Sequence, residues 1–88
     1  MFKNIRKIEN ALEISEGIID DITKLTCYSN EKIYVENYLG IIEYEDYMIR
    51  LNTSDGEVYI YGIDLNIGEL TKDEMVITGK INNIQFER

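Results

Sequence analysis

The chain has no histidine, no proline and no tryptophan, and its single cysteine is Cys27. Without histidine it lacks the commonest general base, a common metal ligand and the partner that Ser/His or Cys/His nucleophilic pairs require. One cysteine can neither close a disulfide within the chain nor build a zinc site. Small secreted domains usually depend on several, so a reducing cytosol is the expected compartment. No Gly-rich loop leading into Lys-Ser or Lys-Thr follows a strand-like run, and Gly79-Lys80-Ile81 is not a phosphate cradle of that kind. Cations are scarce as well: nine Lys and Arg against seventeen Asp and Glu leave a net charge of −8. That balance argues against a nucleic-acid partner, because phosphate-backbone binding rests on Lys and Arg. Long apolar runs are missing too. Met1 to Arg6 leads into none, and Ile18-Ile19 is flanked by Glu16, Asp20 and Asp21, so neither a signal peptide nor a membrane span is expected.

What remains is a chain of 88 residues, 44% apolar and 30% charged, which fits one soluble globular domain. A domain this small keeps a large share of its surface wet, so a partner or an oligomer would help it. Phe2, Ile5, Ile8 and Leu12 recur at spacings of three and four and predict an amphipathic helix over residues 2 to 14, with Lys3, Arg6 and Lys7 on the opposite face. Ser15 can cap a further short turn that Gly17 weakens. This helix has three readings: packing on the domain's own sheet, docking on a protein, or lying on an anionic membrane surface.

From Thr23 onward the period falls to two, and with no proline nothing interrupts ladder hydrogen bonding. Strands are expected at Leu25 to Ser29, Ile33 to Asn37, Ile41 to Glu45 and Tyr47 to Thr53, where Ile49 and Leu51 alternate with Arg50 and Asn52. Ser54-Asp55-Gly56 is the strongest hairpin signal, with Val58 and Ile60 answering Ile49 and Leu51 across it. Leu65 and Ile67 continue the inward set, Met75 with Ile77 starts the next strand after the turn Thr71 to Glu74, and Ile84 and Phe86 close the series. Val58, Ile60, Gly62 and Ile67 also recur seventeen residues on as Met75, Ile77, Gly79 and Ile84, either a repeated β-hairpin or the ordinary turn spacing of a meander. The expected fold is therefore mainly β. It is a small antiparallel meander of seven to eight short strands closing as a roll, sandwich or small barrel, with a helical segment over 1–21 and a single β domain over 22–88.

No residues are expected to be catalytic, cofactor-binding or metal-binding, and no small-molecule substrate is expected. Glu36, Glu43, Glu45 and Asp46 lie close in sequence, but their spacing fits no calcium loop, and they read as solvated outer positions and edge protection. The unusual enrichment is tyrosine, seven in all. If Ile33, Val35, Val58 and Ile60 point inward, then Tyr34, Tyr59 and Tyr61 point outward. There they serve either cross-strand packing or a protein interface. Together with Phe2, Ile5 and Ile8 of the helix, these three are the candidate interaction residues.

Ile33-Tyr34-Val35-Glu36-Asn37-Tyr38-Leu39-Gly40-Ile41-Ile42-Glu43-Tyr44 resembles the extended I-E-N-Y-x-G-I core of the YabP/YqfC family of sporulation proteins. Ile49 to Thr53, Gly56, Ile60-Tyr61-Gly62 with Leu65-Asn66-Ile67, and Glu74 to Ile81 resemble its later segments in order. Leu12 to Ser15 and Asp21 to Thr26 are similar to the lead-in of the YqfC branch, although Ser15 and Thr23 stand where that branch tends to carry proline. The resemblance implies a role in endospore formation, in the mother-cell cytoplasm or peripheral to the forespore membrane. It implies a partner that is another sporulation protein, membrane-bound in the YqfC branch. It carries no catalytic residues over. The expectation is thus a non-enzymatic adaptor or interaction module of spore-envelope morphogenesis, with a self-assembling structural protein, a homo-oligomer built through sheet edges, as the alternative.

Overall fold

A computed structural model describes residues 22–88, so the helix expected over 2–14, with Phe2, Ile5 and Ile8, lies outside the described residues. Six strands follow one another: β1 Lys24–Tyr28, β2 Lys32–Glu36, β3 Gly40–Tyr44, β4 Met48–Thr53, β5 Gly56–Gly68 and β6 Glu74–Glu87. They form one antiparallel sheet in the order β1-β2-β6-β5-β4-β3. The mainly β, antiparallel expectation holds. The count of seven to eight does not, because β5 and β6 run 13 and 14 residues and each takes the place of two short strands.

Both long strands bend where the sequence places a glycine. The β5–β6 ladder shifts register between Tyr61 and Gly62 and again between Ile63 and Asn66. At Gly62 a Cβ would collide with the Lys80 carbonyl oxygen. Gly79 sits at φ +136°, and a Cβ there would lie 2.7 Å from the Asp64 carbonyl oxygen. The backbones approach so closely at this corner that no side chain fits between them. Asp64, at φ 54°, supplies the left-handed residue that completes the bulge. The seventeen-residue repeat is thus one bent strand per unit, and the two units together make a single hairpin.

The bend divides the sheet into halves. The first half of β5 pairs with β4 and with the end of β6, whereas the first half of β6 pairs with β2 and with the end of β5. With no second layer among the described residues, full burial of an inner-face side chain requires the sheet to fold back over its own face. Ile33, Val35, Ile49, Leu51, Val58, Ile60, Met75 and Ile77 are all 0% exposed, so it does so. Six of these are the alternating residues read as inward from the sequence. Burying such a side chain contributes about 1.5–3 kcal/mol relative to leaving it in water. No polar or charged side chain is buried among the described residues.

The sheet stays open. Among the described residues β1 pairs only with β2 and β3 only with β4, so no ladder closes a barrel, one of the three closures expected. Side-chain and loop contacts hold the halves instead. Tyr44 of β3 reaches Asn66 and Ile67 at the end of β5, and the Tyr38 hydroxyl donates to the Thr71 carbonyl at 2.7 Å. The amides of Gly62 and Leu65 donate to the carbonyls of Tyr47 and Asp46 in the β3–β4 turn.

Phe86 departs from expectation. It pairs with Val58 and so belongs to the inner row, yet it is 70% exposed. Beyond Thr78 the ladder of β6 onto β2 has ended, so nothing among the described residues covers this end of the strand.

Candidate functional site

The outer face of the sheet carries the side chains that alternate with the core. The two-residue loop Ser54-Asp55 fixes the β4–β5 register so that Arg50 lies opposite Tyr59 and Asn52 opposite Glu57. Tyr59 and Tyr61, two positions apart on β5, therefore share the outer face. Their rings stack with centroids 6.1 Å apart and 14° between planes. The Arg50 guanidinium lies over the Tyr59 ring at 5.3 Å from its centroid, within cation–π range.

Two carboxylates hold Arg50 there. Its Nε donates to Glu57 Oε1 at 2.8 Å, and its Nη1 lies 3.9 Å from Glu43 Oε1 on β3. The Tyr59 hydroxyl also donates to Glu57 Oε1, at 3.3 Å. The Arg50 hydrogen bond holds the Glu57 carboxyl below the usual carboxylate range and, from the other side, raises Arg50 above its ordinary value. Desolvation pushes the Tyr59 hydroxyl up, against the pull of Arg50. The arrangement is a fixed aromatic–guanidinium patch in which Arg50 pairs with Glu57 and, at longer range, with Glu43. It offers flat π surface and hydrogen-bonding edges.

Tyr34 stands apart. It lies outward on β2 opposite Val76 of β6, in the other half of the sheet from Tyr59 and Tyr61. Its hydroxyl donates to Glu74 Oε1 at 2.7 Å, and this hydrogen bond, ahead of desolvation, pushes its pKa up to about 12. With Tyr28, Glu31, Lys32, Glu69 and Val76 it lines a shallow open depression of about 500 Å³. The structure therefore brings two of the three outward tyrosines together and leaves the third elsewhere.

The carboxylates do not converge. Glu36 and Glu43 are separated by three strands, β6, β5 and β4, and no group of three or more Cys, Asp or Glu side chains among the described residues is placed to share a metal ion. Among the described residues no helix is long and apolar enough to cross a membrane.

Arg50 is the site residue that sequence reasoning missed, although the signal was present. Counting back from Ser54-Asp55 as a two-residue loop puts position 50 opposite position 59.

The fold and this face define a class: a small one-sheet antiparallel β module presenting a tyrosine–arginine patch. The chain belongs to the YabP family, whose model matches residues 19–88, in agreement with the resemblance read from Ile33 onward. It is similar to the protein YqfC of Bacillus subtilis (strain 168), itself described as uncharacterized. The two are 25% identical over 79 residues, which cover 90% of this chain and 85% of that protein. No solved structure matches the chain.

Proposed function

We propose that this chain is a non-enzymatic sporulation protein, an adaptor that binds another protein of the spore-forming cell through the outer face at Arg50, Tyr59 and Tyr61. The observation that carries the reading is the stacked tyrosine pair under a carboxylate-held guanidinium. Tyr and Arg are the side chains that most often dominate protein interfaces, and here strand pairing and ion pairs order them before any partner arrives, which lowers the entropy cost of binding. Membership of the YabP family supports the sporulation setting, through what the resemblance implies.

The discriminating experiment replaces Tyr59 and Tyr61 with serine in full-length protein and compares capture of partners from sporulating cells. The reading expects a partner retained by the native chain and lost by a variant that is still folded by circular dichroism. Identical capture by both would refute it.

A second reading, self-assembly through sheet edges, has its own observation. β1 and β3 each leave one side unpaired among the described residues, and β3 exposes Ile41 and Ile42 at 38% and 43%. Sedimentation at several concentrations separates the two, since a strict monomer rules out assembly.

A further inference from the structure

The depression beside Tyr34 encloses about 500 Å³, a volume that suits a ligand group. It crosses neighbouring strands: Tyr28 comes from β1, Lys32 and Tyr34 from β2, Val76 from β6, and Glu69 directly follows β5. Glu31 joins them from the β1–β2 turn.

This lining is aromatic and acidic. Tyr28 is 56% exposed, and the Tyr34 hydroxyl donates to Glu74 at 2.7 Å, so the Tyr34 ring is oriented before anything binds. Among the described residues, the ion pairs are Arg50 with Glu57 and Glu43, and Arg88 with Asp55. Neither Glu31, Glu69 nor Lys32 takes part in one. Lys32 is the only cation of the lining, against two carboxylates, and Glu74 beside Tyr34 adds a third. The local field therefore favours an incoming cation.

The other half of the sheet shows what such a combination accepts. There Tyr59 carries the Arg50 guanidinium over its ring, with Glu57 and Glu43 holding it. The depression presents tyrosines and carboxylates as well, but both arginines among the described residues, Arg50 and Arg88, are paired elsewhere.

We propose that the depression binds an arginine-bearing, extended segment of a partner protein, whose guanidinium stacks on Tyr28 or Tyr34 and pairs with Glu31 or Glu69. Arginine suits the site better than lysine, because its planar fork stacks on an aromatic face and meets a carboxylate at two points. The width selects a segment over a small amine. From β1 through β2 and β6 to β5 is three strand spacings, about 14 Å. Roughly four residues of extended chain cover that distance. The site lies in the other half of the sheet from the Arg50–Tyr59–Tyr61 patch, so either can fail without the other.

Nuclear magnetic resonance titration of the full-length protein tests it, at about 0.15 M salt so that long-range attraction is screened. The probe is a short capped peptide of alternating glycine and arginine, compared with the same peptide carrying citrulline, which keeps the shape and removes the charge. The arginine peptide is expected to shift the amides around Tyr28, Tyr34 and Val76. Glu31→Gln with Glu69→Gln should weaken its binding at least fivefold. Glu45→Gln with Glu87→Gln removes the same charge outside the depression and should change it less than twofold. Lys32→Gln should strengthen it. Equal weakening by the two carboxylate pairs would mean unspecific attraction to an acidic protein and overturn the proposal. Absence of binding, or equal binding of the citrulline peptide, would do the same. Arginine amide binding as tightly as the peptide would assign the site to a small amine and overturn the segment.

Discussion

The Tyr44 hydroxyl on β3 accepts a hydrogen bond from the Ile67 amide at 2.9 Å and lies 3.2 Å from Asn66 Oδ1, so one side chain fastens an edge strand to the far half of a bent strand. The Ile67 amide has no ladder partner on that side, and the phenol takes the place of one. Tyr44→Phe removes this acceptor while keeping the ring. It is expected to cost about 0.5–1.5 kcal/mol in urea unfolding. Amide exchange at Ile67 should accelerate while that of Ile49 and Ile60 changes little.

Gly62 and Gly79 mark the corner where the sheet folds, and their replacement separates steric need from composition. Gly62→Ala must push against the Lys80 carbonyl and is expected to destabilise by about 2–4 kcal/mol. Gly40→Ala meets no atom within 4 Å and serves as the control, with a change within about 0.5 kcal/mol. Thermal melts of the two variants side by side provide the measurement.

Glu69 adopts φ 46° at the end of β5, in the left-handed region that side chains with a Cβ avoid. Glu69→Gly relieves that strain at some entropy cost in the unfolded chain, and a net gain of about 0.5 kcal/mol is expected in chemical denaturation.

Tyr34 titrates late because Glu74 accepts its proton-bearing hydroxyl and repels the phenolate. Its folded value of about 12 stands above the ordinary 10, so the folded state binds the extra proton between those two values. The stabilisation is therefore complete below pH 10 and is lost as pH rises towards 12. Ultraviolet titration should show a tyrosine ionising near 12, and Glu74→Gln should bring that step down towards the ordinary value of 10. Glu57 works in the opposite sense. Arg50 lowers its carboxyl, so this contribution is present above the ordinary carboxylate value and fades as pH falls through the lowered one.

The residues divide sharply in how far they could be read before folding. Ile33, Val35, Ile49, Leu51, Val58 and Ile60 were legible because period-two alternation is a local property, and all six are fully buried. Phe86 follows the same alternation and is exposed, because burial also needs a covering half that sequence spacing does not place. Gly62 and Gly79 stood out as a repeat. What they do, bending a strand instead of ending it, depends on Lys80 and Asp64 approaching from elsewhere. At the candidate site, the outward side of Tyr34, Tyr59 and Tyr61 could be read from their neighbours. The separation of Tyr34 could not, since it follows from a strand order in which β6 lies between β2 and β5. Tyr44 carried no signal for its role, its partners being more than twenty residues away.

The central claim is that the Arg50–Tyr59–Tyr61 face acts by binding. Its most direct test is spore yield in the organism that encodes the chain, with the chromosomal copy carrying Tyr59→Ser and Tyr61→Ser and protein levels matched by immunoblot. The account predicts a sporulation defect although the variant protein accumulates to native levels and melts within a few degrees of the native chain. Native spore yield at matched levels would contradict it.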